Sequence, residues 1–328
     1  MYLRPDDITI AITVYSRRDY VSGAIRSALA QTVPVKVIVV EDCGPDPALK
    51  DFILKEFGNK IEYFRNPENR GLFDNWHACM EYCRTPWLSI LHDDDLLCPD
   101  FIETMIALAE KAPDRALYFG RQATLEDKNG KIYPSAPVSW ENGWCEMDLL
   151  AAVDNCPFFF PGQLFSVATA QTIGGFNTAS HLTGDWDMWF RLALKAGAAQ
   201  SSTEVAVSRS HEGIDRGTSR VLQKGWKWAL DNVQRKRNIA LLYRERGIFV
   251  RFDRAKLLTG LPIPSRYVIW PAKNFTRRIL FYNWWLFTRS RPPHWRYAIL
   301  QFLVRLAGPQ SLRRVSMVLA GIRKKPGR

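Results

Sequence analysis

A chain of 328 residues of which 47% are hydrophobic is long and apolar enough to bury a core, which excludes an intrinsically disordered protein. Six scattered cysteines without a Cys-x-x-Cys pair, and an N-terminus without an apolar secretory segment, lead us to expect a cytoplasmic protein. Residues 221–328 contain 24 Lys and Arg against 3 Asp and Glu, whereas residues 1–220 contain 21 against 30. The two parts should therefore meet different partners, and the basic part should favour phosphate-rich surfaces.

The first elements of the chain predict a strand, a helix and a second strand. Residues 8–14 are almost all apolar, which is typical of a buried strand. Apolar residues then recur at helical spacing over residues 20–31, and residues 35–40 form another apolar run. This order predicts a parallel sheet with a right-handed crossover. Glu41 and Asp42 follow the second strand, at the edge where open α/β sheets bind ligands.

Periodicity predicts the same alternation further along the chain. Helices are expected over residues 48–57, 74–83 and 101–111, and strands over residues 61–64 and 116–125. The turn Asn69-Arg70-Gly71 precedes the second of these helices; Gly71 permits a positive φ, and Arg70 could reach a phosphate or a base. Residues 127–130 predict a hairpin turn. Residues 133–155 show no period and are expected to form an excursion over the site.

Three consecutive carboxylates, Asp93, Asp94 and Asp95, follow an apolar run at residues 88–91 that predicts a buried strand. Like charges at such close range raise pKa values and oppose folding unless a cation lies among them. Mg²⁺ and Mn²⁺ bind carboxylate oxygens together with substrate phosphates, so this stretch indicates a metal and phosphate site. The alternative interpretation is a solvated acidic turn that caps the helix starting near Asp100.

The last part of the first 220 residues carries two more candidate groups. A Gly-Gly-Phe-Asn stretch at residues 174–177 precedes Asp185, which we expect to cap a helix whose apolar face contains Met188 and Leu192. A predicted strand over residues 205–211 ends in His211. By themselves, Asp185 is as consistent with a simple helix cap as with catalysis, and a histidine in this position is more often a structural residue than a ligand.

Taken in order, these motifs resemble those of the family 2 glycosyltransferases. Residues 14–17 (Val-Tyr-Ser-Arg) stand where that family has Pro-Thr-Tyr-Asn-Arg, residues 39–42 resemble its Val-Val-Asp-Asp, and residues 69–71 match its Asn-x-Gly. The triple aspartate resembles its Asp-x-Asp metal region, with His92 where the first acidic residue often stands. Residues 184–187 (Gly-Asp-Trp-Asp) resemble its Glu-Asp-x-Asp, with glycine replacing the glutamate.

The resemblance, which covers residues 8 to about 220, implies a fold and an activity. The fold is the α/β GT-A architecture, a Rossmann-like, mixed and mostly parallel sheet with helices on both faces, over residues 1–220. The activity is inverting transfer of a sugar from a nucleotide-diphosphate donor, expected to be a UDP-sugar, to a hydroxyl of a glycan or lipid-linked acceptor, as in bacterial cell-surface polysaccharide synthesis. The alternative is a non-catalytic protein on the same fold that binds nucleotide-sugars or anionic polymers such as lipid or nucleic acid.

The resemblance also implies roles for individual residues. Asp185 is the expected general base, with Asp187 as a neighbour that affects packing or positioning. A divalent cation, Mg²⁺ or Mn²⁺, is expected at Asp94, Asp95 and His211. The donor is expected to contact seven residues: Val14, Tyr15, Arg17, Asp42, Asn69, Arg70 and Asp93.

Residues 221–328 are expected to form a basic, aromatic-rich helical region, with one helix over residues 222–246. The apolar stretches at residues 279–287 and 297–306 are shorter than the ~20 residues of a transmembrane helix. Aromatic and aliphatic residues interleaved with cations suit contact with an anionic membrane surface, peripheral on its inner face. The alternatives are a helical subdomain with a solvated basic face, or nucleic-acid binding, which is not expected because no known module accompanies the charge. Salt-sensitive binding to liposomes against oligonucleotides separates these alternatives.

Overall fold

The structure, a computed structural model, describes residues 3–149, 159–178 and 184–211. The predicted domain boundary at residue 220 and the basic region at residues 221–328 lie outside these ranges. The membrane and nucleic-acid alternatives for that region therefore stay predictions. Among the helices of the described ranges, none combines the length and the hydropathy required to cross a bilayer.

The described residues form one ten-stranded sheet flanked by six α-helices and two short 3₁₀ helices, Pro5–Asp7 and Gly58–Lys60. The strands are β1 (Ile8–Val14), β2 (Lys36–Glu41), β3 (Glu62–Arg65), β4 (Trp87–His92), β5 (Leu96–Leu97), β6 (Leu117–Glu126), β7 (Lys131–Tyr133), β8 (Trp144–Glu146), β9 (Gln163–Ser166) and β10 (Ala198–Ser210). The helices are α1 (Arg18–Leu29), α2 (Leu49–Phe57), α3 (Leu72–Tyr82), α4 (Phe101–Lys111), α5 (Val167–Thr172) and α6 (Gly184–Ala196).

The main path of the sheet runs β3-β2-β1-β4-β9-β6-β10-β5, with β7 beside β6 and β8 beside β10. Strands β3, β2, β1 and β4 pair in parallel, as do β6 and β10. Strand β9 is antiparallel to both of its neighbours, and the pairings of β5, β7 and β8 are short and antiparallel. The predicted mixed and mostly parallel sheet is therefore confirmed.

Helices cover both faces of the sheet, which explains why β1 is buried along its whole length. Ile8, Ile10 and Ile12 share one buried core with residues of α1, α2 and α4. The alternate residues of β1 point to the opposite face, because side chains in a strand alternate, and α3 packs on β1, β2 and β4 from there. That face carries Thr9, Ala11 and Thr13, and the two buried hydroxyls are hydrogen-bonded to Thr85 and to the carbonyl of Leu91.

The carboxyl ends of β1, β2 and β4 meet at one edge of the sheet. In register, Val14 lies opposite Glu41 and Thr13 lies opposite His92. The amide of Asp42 donates to the carbonyl of Val14 at 2.9 Å. The loops that follow these three strands are thereby brought side by side, and they carry most of the predicted donor-binding residues.

The structure corrects three details of the prediction. The region at residues 133–155, expected to be an irregular excursion, contains β8, which pairs with β10. Strand β5 follows the triple aspartate directly and was not predicted. Asp185 lies inside the first turn of α6, which begins at Gly184, and not at the cap. Strands of two or three residues show no readable period, because their stability comes from the partner strand.

Candidate active site

Asp94 lies between two groups that bear or can bear positive charge. Arg17, at the start of α1, donates from Nη1 to Asp94 Oδ2. His211, directly after β10, places Nε2 at 2.8 Å from the same oxygen. Arg17 Nη1 also lies 3.6 Å from Asp93 Oδ1. The structure thus brings together Arg17, Asp93, Asp94 and His211, four of the predicted site residues, although they come from three distant parts of the chain.

The two neighbouring carboxyl groups have opposite pKa shifts. Burial, together with the adjacent charge of Asp94, raises the pKa of Asp93 to about 7. Burial also disfavours ionised Asp94, but His92, Arg17 and His211 outweigh it and lower the pKa of Asp94. At neutral pH, Asp94 is therefore the member of this pair that offers a full negative charge.

The described residues include one set of donors suited to a divalent cation. His92, Asp94 and Asp95 each offer a ligand atom, and these atoms lie within 4.8 Å of one another. Carboxylate oxygens suit Mg²⁺ and Mn²⁺, and imidazole nitrogen suits transition metals. His92 Nε2 is buried and has no hydrogen-bond partner in the part of the chain that the structure describes. These residues fit a divalent cation, and they add His92 to the predicted ligands.

A polar network behind Asp94 and Asp95 was missed by the sequence analysis. Arg209 of β10 donates from its backbone amide to Asp95 Oδ1 and from Nε to the carbonyl of Asp94, both at 2.9 Å. Its Nη1 donates to Asp127 Oδ1 at 2.9 Å, and Asp127 Oδ2 lies 3.1 Å from His211 Nδ1. The residues of this network are too far apart in sequence for any local pattern to reveal it.

Asp42 binds the loop at residues 66–71 through uncharged donors. Its Oδ1 accepts from Asn66 Nδ2 at 3.0 Å and from the amide of Arg70 at 2.8 Å, and its Oδ2 accepts from the amide of Gly71 at 2.9 Å. Asn69 Oδ1 accepts from the same Gly71 amide at 2.9 Å. Gly71 has φ +82°, a conformation that glycine adopts without strain. Asp42 thereby determines the path of this loop.

The guanidinium of Arg70 does not lie among the aspartates. It donates from both Nη atoms to the carboxylate of Glu81 on α3, at 2.8 and 2.9 Å. This two-point pairing has good geometry for an arginine and a carboxylate. The role of Arg70 at a phosphate therefore stays a prediction, and any such contact would require this pair to open.

The loops after β1 and β2 touch through their backbones. A side chain at Gly44 would overlap the carbonyl oxygen of Tyr15, because an added Cβ would lie 1.6 Å from it. Val14 is buried, whereas Tyr15 is 44% exposed. Of the two predicted donor contacts here, Tyr15 is the one with side-chain surface accessible to a ligand.

Asp185 lies in the first turn of α6, whose start is connected to the aspartate loop by aromatic contacts. A Cβ at Gly184 would lie 2.3 Å from the Phe73 ring, so a glutamate here, as in the related motif, would require that ring to shift. Phe73 packs edge-on against Trp76 at 5.0 Å, and Trp76 stacks with His92 at 5.7 Å. The start of α6 and the aspartate loop thus share one packed cluster.

Asp187, two residues beyond Asp185, has a different environment. It is 2% exposed, and its Oδ2 accepts from Arg191 Nε at 2.7 Å. Arg191 also donates to the carbonyls of Ile173 and Gly175 at 2.8 and 2.6 Å. Asp187 therefore orients an arginine that attaches α6 to the loop before it. The four-residue spacing on a helix was the signal in the sequence that indicates this pair.

Residues 9–165, which include β1 to β4 and the aspartate loop, match the family described as "Glycosyl transferase family 2". These residues form a family 2 glycosyl transferase domain. The match confirms the resemblance that the motifs carry, although it ends before Asp185 and His211.

Relatives of this family 2 domain include an uncharacterized glycosyltransferase of Rickettsia felis, 26% identical over 221 residues, which cover 65% of this chain and 35% of the relative. The succinoglycan biosynthesis protein ExoO of Rhizobium meliloti is 35% identical over 109 residues, 32% of this chain and 30% of ExoO. The chain spans 35% of the Rickettsia felis relative and 40% of a similar Rickettsia bellii glycosyltransferase.

The fold of the family 2 domain also occurs in a solved structure. Staphylococcus aureus TarS, residues 1–349 in complex with UDP-GlcNAc, superposes with a TM-score of 0.60 at 14% identity, covering 96% of this chain and 92% of that chain. This likeness shows a shared GT-A fold and confirms the predicted architecture.

Proposed function

We propose that this chain is an inverting glycosyltransferase that moves a sugar from a UDP-sugar to a hydroxyl of a glycan or lipid-linked acceptor in bacterial cell-surface polysaccharide synthesis. The main support for the proposal is that Asp94 contacts both Arg17 and His211. These contacts lie at the carboxyl ends of the parallel strands of a family 2 domain. The UDP-GlcNAc bound to TarS supports a UDP-sugar as the donor. The relative ExoO is named as a succinoglycan biosynthesis protein, which supports a role in polysaccharide synthesis.

The donor's base and ribose would lie along the loops after β1 and β2. Tyr15 is exposed there and offers a ring. The loop that Asp42 holds would form the adjoining wall, and the Asp93 side chain comes next along the sheet edge. This placement agrees with the general rule that ligands of open α/β sheets bind beyond the carboxyl ends of the strands.

A divalent cation, Mg²⁺ or Mn²⁺, would be held by Asp94 with Asp95 and His211, and His92 is the alternative imidazole ligand. When bound, such an ion neutralises negative charge on a diphosphate leaving group. Arg17 pairs with Asp94 without an ion and is close enough to share in binding the diphosphate. A guanidinium and a bound cation at one carboxylate would suit a site that stabilises phosphate charge.

The chemistry assigned to the chain is a single displacement. The acceptor oxygen attacks the anomeric carbon on the face opposite the diphosphate, and Asp185 takes the hydroxyl proton. The bond between that carbon and the diphosphate oxygen breaks, and its electron pair leaves with the nucleoside diphosphate. One such step inverts the anomeric centre. Asp185 is half-buried in the first turn of α6, and its Oδ1 atom is buried.

Replacing Asp185 by asparagine tests the proposal. Asn keeps the size of the side chain but cannot accept the proton. We expect donor affinity to be unchanged and turnover to fall by about 10² to 10⁴-fold. The measurement is donor binding by calorimetry and release of UDP from a panel of UDP-sugars, with water or glycan hydroxyls as the acceptor.

Asp187→Asn is the matched control because it changes the same group two residues away. Asp187 is buried and paired with Arg191, so its loss should lower the melting temperature more than it lowers turnover per folded molecule. Turnover of Asp185→Asn near the parental rate would place the base elsewhere. Nucleotide binding without turnover in any parental assay would favour the non-catalytic alternative.

A further inference from the structure

His211 is held between two carboxylates. Its Nδ1 lies 3.1 Å from Asp127 Oδ2, and its Nε2 lies 2.8 Å from Asp94 Oδ2. Its ring also contacts the Tyr20 ring edge-on, with centroids 5.1 Å apart. The imidazole is therefore fixed in orientation on three sides, with one nitrogen directed to each carboxylate.

A neutral imidazole carries a single N–H, so it can donate to only one of these two acceptors. Donation from Nδ1 to Asp127 leaves the lone pair of Nε2 directed at the Asp94 oxygen. A lone pair and a carboxylate oxygen at 2.8 Å repel each other unless a cation lies beside both. The arrangement matches one in which Nε2 and Asp94 share a positive ion.

Asp127 is itself anchored independently of His211. The Tyr20 hydroxyl donates to its Oδ2 at 2.8 Å, and Arg209 Nη1 donates to its Oδ1 at 2.9 Å. Both carboxylate oxygens of Asp127 therefore have a donor besides His211. Arg209 also donates to the Asp94 carbonyl and to Asp95 Oδ1. One arginine thus links the Asp127 carboxylate to the backbone and side chains of the proposed cation ligands.

We propose that Asp127 is a positioning residue for the cation: it holds His211 so that Nε2, not Nδ1, faces the ion at Asp94. A carboxylate that accepts from the second nitrogen of a ligating histidine orients the ring and raises its basicity. Loss of such a partner lowers metal affinity by typically ~10 to 100-fold. This inference rests on the cation site of the proposed function, but it concerns a residue that no motif identified.

The test is the Mn²⁺ affinity of the full chain without nucleotide, measured from the electron paramagnetic resonance signal of free Mn²⁺. Four proteins are compared: the parental chain, Asp127→Asn, His211→Ala and the double variant. We expect Asp127→Asn to weaken Mn²⁺ binding by ~10 to 100-fold in the parental chain. In a chain that already carries His211→Ala, the same substitution should have no further effect. This double-mutant cycle isolates the part of the Asp127 effect on Mn²⁺ affinity that acts through His211.

Two further variants guard against misfolding. Glu126→Gln changes the neighbouring carboxylate, which accepts from Asn129 and does not touch the cation ligands, and should leave Mn²⁺ affinity unchanged. Tyr20→Phe removes only the hydroxyl that anchors Asp127 and should weaken Mn²⁺ binding in the same direction by a smaller factor. Melting temperatures without metal show whether each variant is folded.

Equal Mn²⁺ affinity of Asp127→Asn and the parental chain would overturn the inference, and so would a loss that persists beside His211→Ala. A parental chain that transfers sugar but binds no divalent cation would overturn the cation site and this inference while leaving the transferase activity intact. Mn²⁺ binding that follows the expected cycle in a chain without any turnover would support the inference and count against the proposed activity.

Discussion

The loops after β2 and β4 both place a carboxylate at the carboxyl end of a parallel strand, yet the two carboxylates have different partners. Asp42 accepts from two backbone amides and one side-chain amide, all neutral. Asp94 faces the guanidinium of Arg17 and the imidazole of His211. Carboxylates at equivalent positions in the sheet therefore have different roles, and the atoms that each carboxylate contacts indicate which role it has.

The difference has a physical basis. Backbone amides are fixed by the loop they belong to, so the bonds of Asp42 stabilise the folded loop and would be lost only if it unfolds. The charge of Arg17 can be replaced by that of a metal ion, and His211 Nε2 can bind the same ion, so the contacts of Asp94 are exchangeable. Asp42 is consequently expected to act mainly on stability and Asp94 mainly on ligand binding.

The largest effect on stability should come from Asp42→Ala. It leaves the amide of Arg70 without its acceptor and removes one of two acceptors from the Gly71 amide and from the Asn66 side chain, which keep Asn69 and Asn75. At about 1 to 3 kcal/mol for an unpaired group, and less for the two groups that keep a partner, we expect a loss of about 3 kcal/mol in the free energy of unfolding. Urea denaturation measures it. Asp94→Ala is the comparison variant, and an equal loss for both would erase the distinction between the two loops.

Asp94→Asn should affect ligand binding and leave the fold intact. It removes the charge that a divalent cation requires and relieves repulsion with Asp93 and Asp95. With UDP and Mn²⁺ at 100 times the parental Kd, the parental chain should gain ~2.7 kcal/mol of stability, and the variant should gain none from the metal. A thermal-shift titration with and without Mn²⁺ measures this, and an unchanged metal-dependent shift contradicts the assignment.

The smallest expected effect is a gain. Arg17→Gln removes the cation that competes for the Asp94 oxygen, so Mn²⁺ should bind the nucleotide-free chain about tenfold more tightly, a change of ~1.4 kcal/mol. Affinity for UDP should fall in the same variant, because a positive charge near the diphosphate is lost. Calorimetry with Mn²⁺ and with UDP measures the expected gain in one affinity and loss in the other. Arg18→Gln is the control, because Arg18 pairs with Asp46 outside this site. Weaker Mn²⁺ binding in Arg17→Gln would mean that Arg17 supports the cation site.

Local pattern in the sequence determined most of the elements and the position of the aspartate loop. Strand β1 and helix α4 have the predicted limits, because buried strands and amphipathic helices carry their period in adjacent residues. The apolar runs end at Leu91 and at Val40, directly before polar residues, so strand ends that bear carboxylates could be recognised without coordinates. The family resemblance depended on these same short motifs.

Only the tertiary structure decided which groups meet. The sequence indicated a turn at Asp127, a possible phosphate contact for Arg70 and a departure from a motif at Gly184, and only the structure shows that they contact His211, Glu81 and Phe73. Each contact joins two elements that lie side by side because of helix packing and strand order. Strand order cannot be inferred from the pattern of neighbouring residues in the chain. Hydrogen bonds and close approaches between distant segments depend on three-dimensional proximity, which arises only once the sheet has formed.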